Sequence, residues 1–188
     1  MSKLNIEIEI SNYFKLINEA YKNIELFKTI ANTLENPKTK NIKDLMFTIL
    51  NALKFSFVVQ TEKIIDIKES KNIWKFIEYC KQNTDAFQES NDSIIKKLTD
   101  FNNELAQYNM VFQNMKGQRD KIYAHTDNET FYNKNQLFEK YNVQLQDIEN
   151  IINMLYKYLN NISIAYNGKH YSHYSNPGDD YNYILEKL

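Results

Sequence analysis

The sequence predicts an all-α fold: a helical bundle of four main helices with a short extra helix and a C-terminal helical tail. Two observations carry this prediction. The 188 residues include only 3 glycines and 2 prolines, which leaves few points at which a helix would be broken. Apolar residues recur at steps of three and four along several long stretches, as a buried helix face requires. Because no internal repeat or linker divides the chain, we expect a single domain over residues 1–188.

Composition narrows the classes of protein that the chain could represent. The formal net charge is −1, so there is no general basic surface for nucleic acid, and RNA would need a local patch. Cys80 is the only cysteine, which rules out an intramolecular disulfide and fits a reducing cytoplasm. The N-terminus is acidic where a signal peptide would be apolar, and no apolar run is long enough for a membrane span. We therefore expect a cytoplasmic protein with no membrane partner.

The first two helices are predicted from long apolar stretches. The first is expected from Ile8 to Leu34, and it stops before Asn36–Pro37 because the residue before a proline avoids the helical region. A loop follows, and the second helix is expected from Ile42 to Ile67. This helix is apolar on nearly every side, which is typical of a helix surrounded by its neighbours. We therefore place it at the centre of the bundle.

Serine residues mark the expected starts of the next two helices. Ser70 is the predicted N-cap of the short third helix, and Ser90 begins the fourth. Within the short helix, Trp74 is interpreted as a packing residue and Cys80 as a core residue rather than a nucleophile. The fourth helix carries an apolar seam with alternating steps of four and three: Ile94, Leu98, Phe101, Leu105, Tyr108, Phe112 and Met115. Such a seam fits either the bundle core or a dimer surface.

The last third of the chain predicts one long helix and one short one. After about one helical turn near residues 137–141, Asn142 is the expected N-cap of the fifth helix, and Gly168 is its C-terminal glycine. Residues 179–188 form the expected helical tail. His170 and His173 lie between these two helices with a His-x-x-His spacing. Two ligands are too few for a zinc site, so no metal is predicted.

The residues with the clearest chemistry lie between the fourth and fifth helices. Arg119 is the only arginine of the chain, and His125 is one of three histidines. Arginine can grip a phosphate and histidine can carry a proton near neutral pH, which are the two functions that metal-free RNA cleavage needs. Continuing the apolar seam places Arg119 on the stripe that should be hidden. It therefore needs an anion, a carboxylate or a wet interface to face.

Helix geometry limits how Arg119 and His125 could meet. Six residues of a straight helix place the two side chains about 120° apart. They could converge if the helix ends near Ala124, or across a two-fold axis that brings the same stretch of two subunits together. The apolar seam favours the second arrangement, and with it a homodimer.

The motif Arg119-Asp120-x-x-x-x-His125 resembles the Arg-x(4–6)-His signature of the HEPN superfamily, in which a polar residue commonly follows the arginine. The fuller stretch 119–127 resembles, more narrowly, the AbiU2-like branch that is linked to phage abortive infection. The apolar second helix, residues 70–78 and the closing residues 179–188 agree with that branch. The resemblance thus covers most of the chain, from Ile42 onwards.

The resemblance implies a dimeric, metal-independent and cofactor-free endoribonuclease that leaves 2′,3′-cyclic phosphate ends and acts as a toxin or phage-defence effector. Arg119 would hold the scissile phosphate and offset charge in the transition state. His125 would move a proton as general base or general acid. Asp120 would orient one of these two side chains, and Tyr123 would support them.

Two lysines, Lys116 and Lys121, are the residues expected to contact RNA at a small positive mouth. The expected partners are an RNA substrate, a second copy of the chain, and an antitoxin or other regulatory protein. Related toxins that a nucleotidyltransferase modifies carry tyrosine two places after the histidine, where this chain has Asp127. This departure argues against control by modification of that tyrosine.

Two interpretations without catalysis stay open from the residues alone. The chain could be a non-catalytic HEPN-like module that binds RNA or protein in a defence or toxin–antitoxin system, or a purely structural helical dimer. In either case Arg119 would pair with Asp120 or Asp127, and His125 would cap a helix C-terminus. The acidic Asp127 also weakens simple electrostatic attraction of RNA.

Overall fold

The computed structural model describes residues 5–123 and 135–172, and every regular element within these ranges is helical. The helices are α1 (Ile6–Asn32), α2 (Lys43–Ile65), α3 (Ile73–Gln82), α4 (Asn91–Ala106), α5 (Asn109–Gly117), α6 (135–140) and α7 (Leu145–Asn167), with 3-10 turns at Pro37–Ile42 and Thr84–Ala86 and a π-helical turn at Gln118–Tyr123. The predicted all-α class is confirmed. The predicted tail helix at 179–188 lies outside the described residues. None of the described helices is both long and apolar enough to cross a membrane.

α1 begins two residues earlier than predicted because Asn5 caps it. The Oδ1 atom of Asn5 accepts hydrogen bonds from the backbone N–H groups two and three residues further on, at 3.0 and 3.3 Å. The connection to α2 is the 3-10 helix Pro37–Ile42 rather than the predicted irregular loop. A hydrogen bond within the turn stabilises it, because the hydroxyl of the buried Thr39 donates to the carbonyl of Asn36 at 2.7 Å.

α2 corrects the prediction of a helix that is buried on nearly every side. Its C-terminal half is central to the bundle, and Phe57 and Val58 are at most 1% exposed. Its N-terminal half packs against α1 through a small cluster that includes Met46. On the other side of this half, Leu45 and Phe47 are 56% and 51% exposed. A pair of helices can cover only one face of each member, so the apolar run is longer than its packing requires.

α3 starts at a different cap from the one predicted. Asn72, and not Ser70, accepts the hydrogen bond from the backbone N–H of Lys75, at 3.0 Å. The indole N–H of Trp74 donates to the carbonyl of Ile65 at 3.0 Å, which fastens α3 to the end of α2. The side chain of Cys80 is fully buried, as expected of a core residue, and burial raises the pKa of its thiol to about 12.

The apolar seam is bundle core over its first half. The buried members in α4 are Ile94, Leu98, Phe101 and Leu105, and Met115 in α5 is buried as well. Ser90 caps α4 as predicted. The helix then breaks at residues 107–108, where backbone hydrogen bonds span three residues instead of four, and α5 begins a new helix. The seam therefore does not run in phase along one helix to Arg119, as the prediction assumed.

α7 packs against α1 and α4 and completes the main core. Its N-cap is Gln144 rather than Asn142. Its end is as predicted, because Gly168 has φ 72° and its N–H donates to the carbonyl of Ile164 at 2.9 Å. On the other side of the bundle, the C-terminal end of α2 contacts α5 and the π-helical turn, which is where Arg119 lies.

Candidate functional site

The backbone changes its winding at the motif that carries Arg119. α5 ends at Gly117, and Gln118–Tyr123 form a π-helical turn, a local feature that is often found at functional sites. Gly117 is required here because a Cβ atom would lie 2.2 Å from Cδ1 of Tyr141. The buried Gln118 completes this contact, as its Nε2 donates to the carbonyl of Tyr141 at 2.7 Å. The turn is thus packed against the chain segment that precedes α7.

Arg119 points at the C-terminal end of α2. Its Nη1 donates to Oδ2 of Asp66 at 3.2 Å and also to Oε2 of Glu62, and its Nε donates to Oδ1 of Asp120 at 2.8 Å. Glu62 lies in the last turn of α2, and Asp66, four residues further on, is its C-cap. The side chains of these two residues are only 3% and 5% exposed. The side chain of Arg119 is 25% exposed. A guanidinium at the surface is therefore oriented by two buried carboxyl groups and one neighbouring carboxyl group.

Three ionisable groups of this cluster, Glu62, Asp66 and Arg119, respond to burial and charge in different ways. Burial raises the pKa of Glu62 to about 7, because it outweighs the charge of Arg119, which lowers the pKa, and nearby Asp66 raises it further. Burial also raises the pKa of Asp66, but the Lys68 N–H, Arg119 and Lys116 outweigh it, so this pKa is lowered. For Arg119, burial lowers the pKa, yet its carboxyl partners raise it overall. The cluster thus contains one permanent cation, one ionised carboxylate and one carboxyl group that titrates near neutral pH.

The predicted positive mouth is largely neutralised where the structure describes it. Lys116 lies one turn before Arg119, and its Nζ is 3.6 Å from Oδ1 of Asp66. Lys116 and Arg119 therefore share Asp66 as a counter-ion. Lys121 is half-buried in the π-helical turn and also has an electrostatic or hydrogen-bond partner. RNA would meet alternating charges rather than a uniformly basic patch.

The predicted site residues are only partly described. The contact that an orienting role for Asp120 needs is present, since this carboxyl group holds Nε of Arg119. The backbone of Tyr123 belongs to the π-helical turn, whereas its side chain and the whole of His125 lie outside what is described. The structure therefore leaves the distance between Arg119 and His125 open, and the catalytic pair stays a prediction. Among the described residues, no group of three or more His, Cys, Asp or Glu could hold a metal ion.

Glu62 and Asp66, the main partners of Arg119, were not predicted from the sequence. A carboxylate partner was expected near the motif, at Asp120 or Asp127. One feature of the sequence does indicate this pairing. Glu62 and Asp66 are four residues apart at the end of a strongly apolar helix that was predicted to be central. Buried acids of this kind need a cation, and the chain has a single arginine to supply the planar one.

The fold and the site define the protein as an all-α bundle in which one arginine, held by carboxyl groups, occupies the turn after the fifth helix. The chain belongs to the AbiU2 family of HEPN proteins, because the family model HEPN_AbiU2 matches residues 7–187, nearly the whole chain. This match confirms the predicted resemblance and supports its abortive-infection theme.

A curated protein is similar over part of the chain. The SAMHD1 homolog of Dictyostelium discoideum, named as a deoxynucleoside triphosphate triphosphohydrolase, is 26% identical over 102 residues. These residues are 54% of this chain and 20% of that protein, so the chain spans about a fifth of that relative's length. No solved structure matches the chain.

Proposed function

We propose that the chain is a metal-independent endoribonuclease of the HEPN type, which acts as an abortive-infection effector or toxin with Arg119 and His125 as its catalytic residues. The observation that carries this proposal is the fixed orientation of the only arginine, whose side chain is 25% exposed. A preorganised guanidinium can stabilise the charge that develops on a phosphate during cleavage, because it does not have to be reoriented during the reaction. Membership in the AbiU2 family supports the same function.

The proposed reaction uses the 2′-hydroxyl of the RNA as nucleophile. The 2′-oxygen attacks the adjacent phosphorus while His125 accepts its proton, and the bond from phosphorus to the 5′-oxygen breaks. The 5′-oxygen leaves with a proton from a second histidine, the His125 of another copy of the chain. The products are a 2′,3′-cyclic phosphate and a free 5′-hydroxyl, and no metal or cofactor takes part.

Arg119 would act through the part of its guanidinium that the carboxyl groups do not use. A guanidinium has five N–H donors, and Glu62, Asp66 and Asp120 engage those on Nη1 and Nε. A phosphate would therefore bind at the Nη2 edge. The carboxyl groups keep the side chain in place, and they also make capture of RNA depend on that edge rather than on general attraction.

A homodimer is part of this proposal, since each reaction needs one histidine as base and one as acid. The apolar seam of α4 cannot supply its interface, because the described members of that seam are buried within one chain up to Leu105. The symmetric contact would instead be made around the motif itself. Light scattering should give the mass of two chains, and a monomer would remove the composite site from the proposal.

One observation favours a second candidate function, a non-catalytic module that binds RNA or protein. Arg119 is paired with three carboxyl groups, an arrangement that could simply stabilise the junction of α2 and α5. In that case Arg119 would be structural, and RNA or a regulatory protein would bind without being cleaved.

The test is to incubate the protein with RNA in EDTA and to look for fragments with 2′,3′-cyclic phosphate ends. We expect Arg119→Lys and His125→Ala each to lower the cleavage rate by at least about 100-fold, as loss of a transition-state contact or a proton carrier does. Arg119→Lys keeps the charge and removes the planar fork of donors.

The matched control is His170→Ala, which removes an exposed histidine outside the motif. This variant should cleave RNA like the wild type. If wild type, Arg119→Lys and His125→Ala all have the same activity, the catalytic proposal is wrong. If RNA binds to the wild type without any cleavage, the non-catalytic module is the function.

A further inference from the structure

A cavity of about 220 Å³ lies directly beside Arg119, between the C-terminal end of α2, the start of α3 and one face of α5. Its walls are apolar and aromatic: Ile65, Ile67, Trp74 and Phe112. The rings of Trp74 and Phe112 meet edge to face, with centroids 6.3 Å apart. The cavity has the size and the walls that suit one flat ring system.

The polar groups of the cavity include two of the three carboxyl groups that hold Arg119. Glu62 and Asp66 line it from the end of α2, and Asn109, Gln113 and Lys116 line it from α5. Glu62 is 2% exposed, and its Oε1 has no hydrogen-bond partner among the described residues, although Oε2 of the same carboxyl group is bound by Arg119. A buried acceptor without a partner is costly, so a ligand that donates a hydrogen bond there would remove that cost.

The charges divide the site into two compartments. Two carboxyl groups line the cavity and would repel a phosphate, whereas Arg119, which contacts both of them and is not among the lining residues, attracts one. A ligand that spans both compartments would therefore place a phosphate at Arg119 and an uncharged, planar group with N–H donors in the cavity. A nucleotide of RNA has these two parts, and unstacked bases are commonly bound on aromatic side chains.

The pattern of donors and acceptors selects among the four bases. Glu62 Oε1 and the Asp66 carboxyl group are acceptors, and the Lys116 ammonium group beside Asp66 is a donor. Guanine offers two neighbouring donors, N1–H and the 2-amino group, next to the acceptor O6. Adenine, cytosine and uracil each place an acceptor where guanine has one of these donors. Only guanine therefore matches the two carboxyl groups and Lys116 along a single edge. The amides of Asn109 and Gln113, which also line the cavity, can donate or accept and select no base.

We propose that this cavity is a base-binding subsite that selects guanine in the RNA strand whose phosphate lies on Arg119. The inference deepens the proposed ribonuclease function and rests on it for the identity of the strand. The guanine edge would bond to Glu62 Oε1 and Asp66, and its ring would stack on the aromatic wall formed by Trp74 and Phe112. Sequence preference would thus come from the carboxyl groups that orient the catalytic arginine.

Trp74 makes the test independent of cleavage, because it is the only tryptophan of the chain and lines the cavity. The four nucleoside monophosphates are titrated separately while tryptophan fluorescence is measured, with free tryptophan as the absorbance control. The pH is kept about one unit above the pKa of Glu62, so that its carboxyl group is ionised. We expect guanosine monophosphate to quench Trp74 saturably and to bind at least about tenfold more tightly than the other three, as one good pair of hydrogen bonds allows.

Two variants distinguish base selection from general binding. In Glu62→Gln, the amide oxygen would accept from Arg119 and the NH₂ group would face the cavity, where it opposes the donors of guanine; the guanine preference should disappear. Ile67→Tyr narrows the mouth at a residue that is 69% exposed, so it should weaken all four nucleotides without affecting folding. The matched controls are Glu78→Gln on the exposed side of α3 and Ile95→Tyr on α4, and both should bind like the wild type.

The outcomes separate this proposal from the proposed function. Equal binding of the four nucleotides, or a guanine preference that survives Glu62→Gln, overturns the subsite even if the protein cleaves RNA. Guanine-selective quenching that Glu62→Gln abolishes supports the subsite even if no cleavage is found, in which case the catalytic proposal alone fails.

Discussion

The two halves of α2 distribute their side chains in opposite ways. In the N-terminal half, the apolar Leu45 and Phe47 are more than half exposed. In the C-terminal half, the acidic Glu62 and Asp66 are buried. Exposed apolar residues are common on protein surfaces, but a buried carboxyl group is costly unless it is paired. The comparison shows that the C-terminal end of α2 holds acids that pair with Arg119 beside its apolar core residues, while the N-terminal half packs against α1 on one face and leaves apolar residues exposed on the other.

The largest effect should come from a pair of identical substitutions in the two halves. Phe57→Ala should lower the free energy of unfolding by about 3–5 kcal/mol, because Phe57 is buried and packs edge to face on Phe27 at 5.8 Å. Phe47→Ala should change it by less than about 0.5 kcal/mol, because that ring is mostly exposed. Urea denaturation of both variants at one protein concentration measures the difference.

Each of these variants serves as the control of the other, since both replace phenylalanine by alanine within one helix and change helix propensity equally. A large cost at Phe47 would contradict the assignment of this face as exposed. If that cost grew with protein concentration, it would show that a second molecule covers this face. The exposure of apolar residues in the N-terminal half of α2 would then be a property of the single chain only.

The next largest effect on stability should come from removing Arg119, whose positive charge offsets the buried carboxyl groups. Arg119→Ala should lower the free energy of unfolding by about 2–4 kcal/mol, less than for a fully buried pair because Arg119 is 25% exposed. The reason is that Glu62 and Asp66 would stay buried without their cation. Chemical denaturation above the pKa of Glu62 measures this cost.

Two comparisons show whether that cost arises from the acids. Lys116→Ala removes a more distant cation, 3.6 Å from Asp66, and should cost less than about 1 kcal/mol. In a Glu62→Gln background, Arg119→Ala should cost less than in the wild type, because one buried charge is already gone. A cost that is the same in both backgrounds would mean that Glu62 does not need Arg119 for its stability.

The sequence was sufficient to predict the architecture because the architecture follows from local patterns. Rare glycine and proline and the apolar spacing predicted an all-α fold, and this class and the end of a helix at Gly168 are confirmed. The family was also predictable, because a short motif and several flanking stretches carry it. Individual caps were less so: Ser70 and Asn72 are equally good capping residues two positions apart, and only the packing of α3 selects Asn72.

The partners of Arg119 could not be predicted from spacing, because Glu62 and Asp66 are more than fifty residues away along the chain. Their pairing depends on the angle at which α2 meets α5. The π-helical turn was missed for a related reason. It begins directly after Gly117, which lies against the Tyr141 ring, and no helical periodicity reports such a contact. Long-range contacts of this kind are what distinguish the site from the scaffold.

The smallest of the expected effects tests the titration of Glu62 itself. Its pKa in the folded protein is raised to about 7, above its ordinary value, so its contribution to stability is present at low pH and is lost as the pH rises through 7. We therefore expect the free energy of unfolding of the wild type, relative to that of Glu62→Gln, to fall by about 2–3 kcal/mol between about pH 5 and about pH 8. The lowered pKa of Asp66 acts below this window and leaves the difference unchanged. A difference that stays constant with pH would mean that Arg119 keeps Glu62 ionised throughout, and a difference that rises would mean that the ion pair outweighs the cost of burial. Either result would mean that Glu62 does not titrate near neutral pH and that it forms a permanent ion pair with Arg119.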